Sequence, residues 1–309
     1  MLGAGIAALG LVGTALLALQ QMQIASQLEQ ARLAQAGDGL TQALESRIRT
    51  YAEIAFGLRG LFIVNPGLRR SEFVAAASQL GVDSRYPGVK NIAFTRYVTA
   101  QDKKAFEARV RADTSVEPNG YPDFAIRPPG DRAEYFVADY LWPQSGSRGI
   151  HGLDISAQPA NLASMQYSKR SGEPVASGPF DLLQETSDRT GFVIRVPVFK
   201  GQDFLGSVAI TLRVFDLLQS LEQEGHPQGL RLKLSDAGPA PGAADAKAGA
   251  VPGLVMYSTI AEGSRATAPH HVRTVRLYGR DWQLEFRPAK TFLTDAERSS
   301  PLWTAFSAG

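Results

Sequence analysis

Apolar side chains recur at Leu40, Leu44, Ile48, Tyr51, Ala55, Leu58 and Phe62 in steps of three and four, the spacing of one face of an α-helix. Glu45, Arg47, Arg49 and Glu53 fall between them and suit a solvated face. The pattern predicts a long helix that ends at the turn residues Asn65-Pro66-Gly67, with Gly37-Asp38-Gly39 expected to bend or interrupt it near its start. Its seam needs cover, either from its own domain or from a second copy. No later segment reads as a helix long enough to cover it, so pairing with a second copy is the expectation.

Upstream, residues 1–19 contain no charged side chain. At about 1.5 Å per residue such a run just crosses a hydrocarbon core of about 30 Å. It has no basic leader and no small-residue cleavage site, which predicts an uncleaved membrane anchor rather than a signal peptide. At the other end, Ser300-Pro301-Leu302-Trp303-Thr304-Ala305-Phe306 is apolar and aromatic, as expected where a second span begins. This predicts a chain cut from a longer one as it re-enters the membrane.

Between these ends, helices alternate with period-two strands. A short helix is predicted from Ser71 as N-cap through Phe73, Ala76, Ala77 and Leu80 to Gly81. A strand over 92–98 leads to a second helix, opened by the capping box at Thr99 and Asp102 and carrying Phe106 and Val110. Residues 124–127 read as a strand. Residues 134–140 read as another, breaking at Pro143 into a Ser/Gly loop that ends in the apolar 150–153. Pro159 suits the first position of a helix over 159–171 and Gly172 its cap. Strands over 192–199 and 204–212 flank a hairpin turn at Lys200-Gly201-Gln202-Asp203, and a helix follows through Phe215 and Leu221. Further strands are expected over 230–234, 255–260, 272–277 and 282–286, with a mobile Ala/Gly/Pro loop over 237–252. This back portion reads as a second, smaller α/β unit.

Composition narrows the function classes. Charge is nearly balanced, 32 basic against 30 acidic residues, which argues against a nucleic-acid binder. The absence of cysteine excludes disulfides, thiolate metal sites and cysteine nucleophiles. His270 and His271 are adjacent and make a poor metal pair. His226 and His151 are the other two histidines, and His151 reads as a solvated turn residue. Neither a Gly-x-Ser-x-Gly elbow nor a Walker A sequence occurs. Asp38, Asp102, Asp131 and Asp154 have turn or capping explanations, so no metal, cofactor or catalytic residue is predicted.

The central region resembles the CHASE domain, the extracytoplasmic sensory module of membrane-bound histidine kinases and nucleotide cyclases. The resemblance rests on five pieces in order. Tyr86-Pro87-Gly88-Val89 runs into Ala93-Phe94 and Val98, and Phe106-Glu107 follows. Then come Glu134-Tyr135-Phe136-Val137 with Tyr140 and Pro143, Gly152-Leu153-Asp154, and Arg195-Val196-Pro197-Val198-Phe199. The resemblance implies an α+β fold, with an N-terminal transmembrane helix (1–20) and a stalk helix (21–66) leading into tandem PAS-like units with antiparallel sheets. The units are a distal sensor core (67–212) and a proximal unit (213–298), before the start of a second span (299–309).

It further implies a homodimer in a bacterial inner membrane, periplasmic after about residue 21. This would be the ligand-sensing region of a histidine kinase or diguanylate cyclase type receptor, its output domain lying outside the chain. The alternative is a membrane-anchored dimerisation or assembly module without a ligand. Candidate contacts to a small molecule are Tyr140 and Trp142 for stacking, Leu153 and Phe180 as walls, and Asp131, Ser171 and Ser177 as polar groups. Plant members bind a cytokinin. Here Pro159-Ala160-Asn161 and Ser171-Gly172 depart from the family pattern, and that ligand is not carried over.

Overall fold

The seam along residues 40–62 is the inner face of one continuous helix, α1 (Leu2–Val64), in the computed structural model, which describes residues 2–183, 185–224, 229–239, 253–261, 269–289 and 292. All seven seam residues are buried, with Leu33, Ala52 and Ile54 beside them. Their cover is intramolecular, which corrects the expected pairing along this seam. The buried part of α1, from Leu33 to Phe62, is about 44 Å long, and strands about 4.8 Å apart in two neighbouring sheets approach that length. Sheets, not a second helix, meet the requirement.

Gly37 and Gly39 do not break the helix. A Cβ at Gly37 would lie 2.7 Å from Cδ2 of Phe286, so glycine here lets the second sheet approach the helix backbone. Asp38 holds that contact, bonding His271 Nε2 at 2.7 Å and Arg273 at 2.5 and 2.7 Å. His271 is therefore a structural partner and not an idle surface group. Further toward its start α1 exposes Leu16, Leu17, Leu19, Met22, Ile24 and Leu28. Side chains of residues 2–12 lie outside the described set, and among the described residues no helix is long and apolar enough to cross a membrane.

After α1 come α2 (Arg70–Gln79), α3 (Val82–Arg85), β1 (Val89–Thr99), α4 (Lys103–Arg111), β2 (Glu134–Trp142), α5 (Gln144–Ser147) and α6 (Pro159–Ser171). Then follow β3 (Val175–Ala176), β4 (Phe180–Asp181), β5 (Thr190–Lys200), β6 (Asp203–Arg213) and α7 (Val214–Gln223). The first sheet is antiparallel in the order β2-β1-β6-β5-β3, with β4 also on β5. A second antiparallel sheet has the order β8-β7-β10-β9, from β7 (Leu230–Pro239), β8 (Leu254–Ser258), β9 (His271–Leu277) and β10 (Arg280–Pro288). The fold is thus α+β with antiparallel sheets and a long N-terminal helix.

Several local expectations shift. α2 starts at Arg70, ahead of the expected cap Ser71, because the Arg69 N–H donates to Glu72 Oε2 at 2.8 Å. The strand expected over 124–127 is reduced to a bridge from Arg127 to Leu153. Pro159 and Gly172 bound α6 as read, Gly172 at φ 72°. His226, residues 240–252 of the expected loop, and 300–306 lie outside the described residues.

Candidate functional site

Three neighbouring strands of the first sheet carry large apolar side chains on one face and small or polar ones on the other. Toward α1 point Ile92 and Phe94 of β1, Phe192, Ile194 and Val196 of β5, and Val208, Ile210 and Leu212 of β6, all in one buried cluster. The alternating positions Asn91, Ala93, Thr95, Val193, Arg195, Ala209 and Thr211 face the other way. Alanines on adjacent strands recede, and with Ala138 of β2 they floor a cavity of about 50 Å³.

Its roof is built from the segment after β2, from α6, and from β4 with the residues that follow it. Ile150, Leu153, Ile155, Gln158, Asn161, Phe180, Leu182 and Leu183 line it. Asp154 fixes that segment. Its buried carboxylate receives the Phe136 N–H at 3.1 Å, the Ser156 N–H at 3.2 Å and the Ser156 hydroxyl at 2.5 Å, with Arg132 at 3.4 Å. As read from the sequence, Asp154 caps the turn that follows it. Gly152, at φ 82°, brings the chain so close that a Cβ would lie 2.6 Å from the Ala125 carbonyl oxygen.

Arg195 lines the cavity and is 1 % exposed. Its Nε donates to Ser164 Oγ at 3.1 Å, Nη1 to Thr95 Oγ1 and Ser207 Oγ at 3.3 Å each, and Nη2 to Asn161 Oδ1. Burial pushes its pKa down to about 9. Sequence reading gave Arg195 no contact role; the available signal was one arginine inside the apolar run Phe192-Val193-Ile194-Arg195-Val196.

The seven residues singled out from the sequence do not converge. Leu153 and Phe180 meet at the cavity. Tyr140 and Trp142 pack on the opposite face against the α1 cluster, where the Tyr140 ring lies near Phe62, Phe73 and Phe94 and its hydroxyl donates to the Leu68 carbonyl at 2.9 Å. Ser177 is buried, but its hydroxyl donates to the Gly178 carbonyl at 2.8 Å and accepts from the Val193 N–H at 3.0 Å. Ser171 is exposed and donates to the Tyr167 carbonyl at 2.9 Å. Asp131 is exposed in the turn before β2.

A second, more open cleft of about 260 Å³ lies beside β2, lined by Arg70, Glu117, Gly120, Tyr121, Leu141, Gln144, Ser147, Arg148 and His151. The Ser147 and Tyr121 hydroxyls there are buried and find no hydrogen-bond partner among the described residues. Arg70 is neutralised, reaching Asp113 at 2.9 Å and Asp139 at 2.7 Å. Burial would raise the Asp139 carboxyl, but the charges of Arg96 and Arg70 outweigh it and hold it low. His151 is not the solvated turn residue expected. It packs 4.8 Å from both the Tyr121 and Phe124 rings, and burial together with the Arg70 charge lowers its pKa to about 4. Among the described residues no cluster of His, Asp or Glu is arranged to hold a metal ion.

No curated protein matches the sequence. Among solved structures, an extracellular ligand binding receptor from Desulfohalobium retbaense is similar at 15 % identity and a TM-score of 0.49; the match covers 82 % of this chain but only 39 % of that one. The ligand-binding domain of the Pseudomonas fluorescens chemoreceptor CtaA, in complex with L-isoleucine, is similar at 14 % identity and a TM-score of 0.48, over 94 % of this chain and 99 % of that one. The periplasmic sensory domain of a Campylobacter jejuni chemoreceptor is similar at 12 % identity and a TM-score of 0.44, over 89 % and 94 %. The sequence model of the CHASE domain matches residues 66–247, more than half of the chain. The chain belongs to the CHASE family of sensory, non-catalytic domains.

Proposed function

We propose that this chain is the extracytoplasmic ligand-sensing region of a membrane-bound receptor of the histidine kinase or diguanylate cyclase type, taking a small molecule in the cavity between the first sheet and α6. The observation that carries this reading is the split of the central strands into a large apolar face on α1 and a small, partly polar face on the cavity. An occupant would touch Ala93, Thr95 and Ala209, each the sequence neighbour of a residue packed on the helix. In the same reading residues 1–20 anchor the chain, 67–212 and 213–298 form distal and proximal PAS-like units, and 299–309 lead into a second span. Two copies associate. Of the residues singled out from the sequence, Leu153 and Phe180 are the proposed ligand contacts.

A thermal-shift screen of small molecules, followed by Ala209→Leu, tests this. A ligand that binds only the folded form raises the melting midpoint by mass action. Leucine at 209 fills the cavity and is expected to remove that shift while leaving the circular dichroism unchanged. The unpaired Ser147 and Tyr121 hydroxyls favour a second reading, with the ligand in the cleft beside β2. In that case Ser147→Val, and not Ala209→Leu, abolishes the shift. If no compound raises the midpoint of the wild-type chain, the assembly-module alternative replaces both.

A further inference from the structure

Arg70, Arg195 and Arg280 are all at most 2 % exposed, and they differ in one respect. Arg70 meets Asp139 and Asp113, and Arg280 lies against Asp236. Arg195 is surrounded by neutral groups: two serines, a threonine and an asparagine. These bonds satisfy donors without cancelling the charge. Burial lowers its pKa, and among the described residues no carboxylate opposes that shift. A guanidinium has five N–H hydrogens, so one on Nη2 remains free after the four bonds named. An unpaired interior cation is strongly unfavourable, and its usual remedy is an anion.

The cavity beside Arg195 suits a particular anion. At about 50 Å³ it has room for about three to five waters, or a ligand of a few heavy atoms. Ala93, Ala138, Val193 and Phe180 give it apolar walls. The Thr95 hydroxyl accepts from Arg195 and so keeps its own hydrogen to donate.

We propose that the ligand of this cavity is a short-chain aliphatic carboxylate, its charge paired with Arg195 and its tail lying on the alanine floor. This rests on the reading of the interior cavity as the sensory site. A carboxylate can accept the free Nη2 hydrogen and the hydroxyl hydrogen of Thr95, and the neutral isostere of the same ligand lacks the charge the site requires. Selectivity would come from charge at one end and tail length at the other.

The test uses thermal unfolding of the purified full chain with propionate or butyrate, against propionamide, propanol and sodium nitrate at equal ionic strength. Propionate or butyrate is expected to raise the midpoint, and the neutral compounds and nitrate are not. Arg195→Met keeps the bulk and removes the charge, so it should show no carboxylate shift. Arg195→Lys should bind more weakly by about tenfold or more, because a compact ammonium on a flexible stem no longer holds a donor fixed at the Nη2 position. Should Arg195→Met fail to fold, Ala209→Leu, which retains the arginine, must still lose the shift. Carboxylate binding retained at full strength in both Arg195→Met and Ala209→Leu overturns the proposal, as does an equal shift with nitrate. If a neutral compound binds and Ala209→Leu abolishes it while carboxylates have no effect, the cavity remains the sensory site and only the ligand class falls. If no compound of either kind binds, both readings fall.

Discussion

At Asp154 one carboxylate shapes the roof of the cavity, because it joins a backbone N–H of β2 to one in the turn that follows it. Asp154→Ala leaves both N–H groups buried and unpaired, and an expected loss of about 3 kcal/mol follows from the desolvation penalty of such groups. Asp154→Asn keeps one acceptor and should lose about 1 kcal/mol. Urea unfolding of the two variants measures this, and equal losses would show that volume rather than hydrogen bonding matters at this position.

His151 makes a second prediction at the same scale. Its folded pKa of about 4 lies below its ordinary 6.5, so over that interval the unfolded chain binds a proton that the folded chain refuses. Its contribution to stability is present above pH 6.5 and is lost as pH falls toward 4. His151→Gln should flatten this part of the stability profile. A variant that follows the wild-type slope would mean that other groups produce it.

Among the elements, α1 separates stability from reach. Leu44 is fully buried in the cluster shared by both sheets, so Leu44→Ala should destabilise by about 3 kcal/mol, within the usual range for a buried leucine. Leu28 lies on the same helix but is 55 % exposed, and Leu28→Ala should change stability by less than about 0.5 kcal/mol. Chemical denaturation of the pair checks the contrast. The seam itself was legible, because three-and-four spacing reports a helix face directly. What covered it was not, because strands crossing a helix leave no matching period in the sequence.

The site was legible in the same uneven way. Leu153 and Phe180, read as walls, line the cavity proposed as the site. Tyr140 and Trp142 lie off that cavity, on the α1 side, because of a single residue. Strict alternation would set them on the face of Ala138, but the register shift opposite Phe94 and Thr95 makes Asp139 an extra residue in β2 and turns them to the other side. Asp139 is buried between Arg70 and Arg96, a long-range arrangement that local pattern does not report.

Across the whole molecule, one buried cluster takes in α1 from Leu33 to Phe62, the helix-facing residues of β1, β5 and β6, and Leu232, Leu234, Trp282 and Leu284 of the second sheet. The Asp38 contact to Arg273 and His271 ties α1 to β9, and those two partners hold the Asp38 carboxyl well below its usual range. Close-packed interiors do not absorb displacement locally, so a change in the curvature of β1, β5 and β6 has to be met by α1. A ligand shifts such a system only through its different affinity for two arrangements. Amide hydrogen exchange on the full chain, with and without ligand, tests this route. Ligand should slow exchange in β1, β5 and β6 and in residues 40–62 of α1, whose inner face belongs to the cluster, while residues 13–30, outside it, exchange unchanged. Protection confined to residues 144–158 and α6 would mean that the roof closes over the ligand without moving the sheet, and α1 would then not be the carrier of the signal.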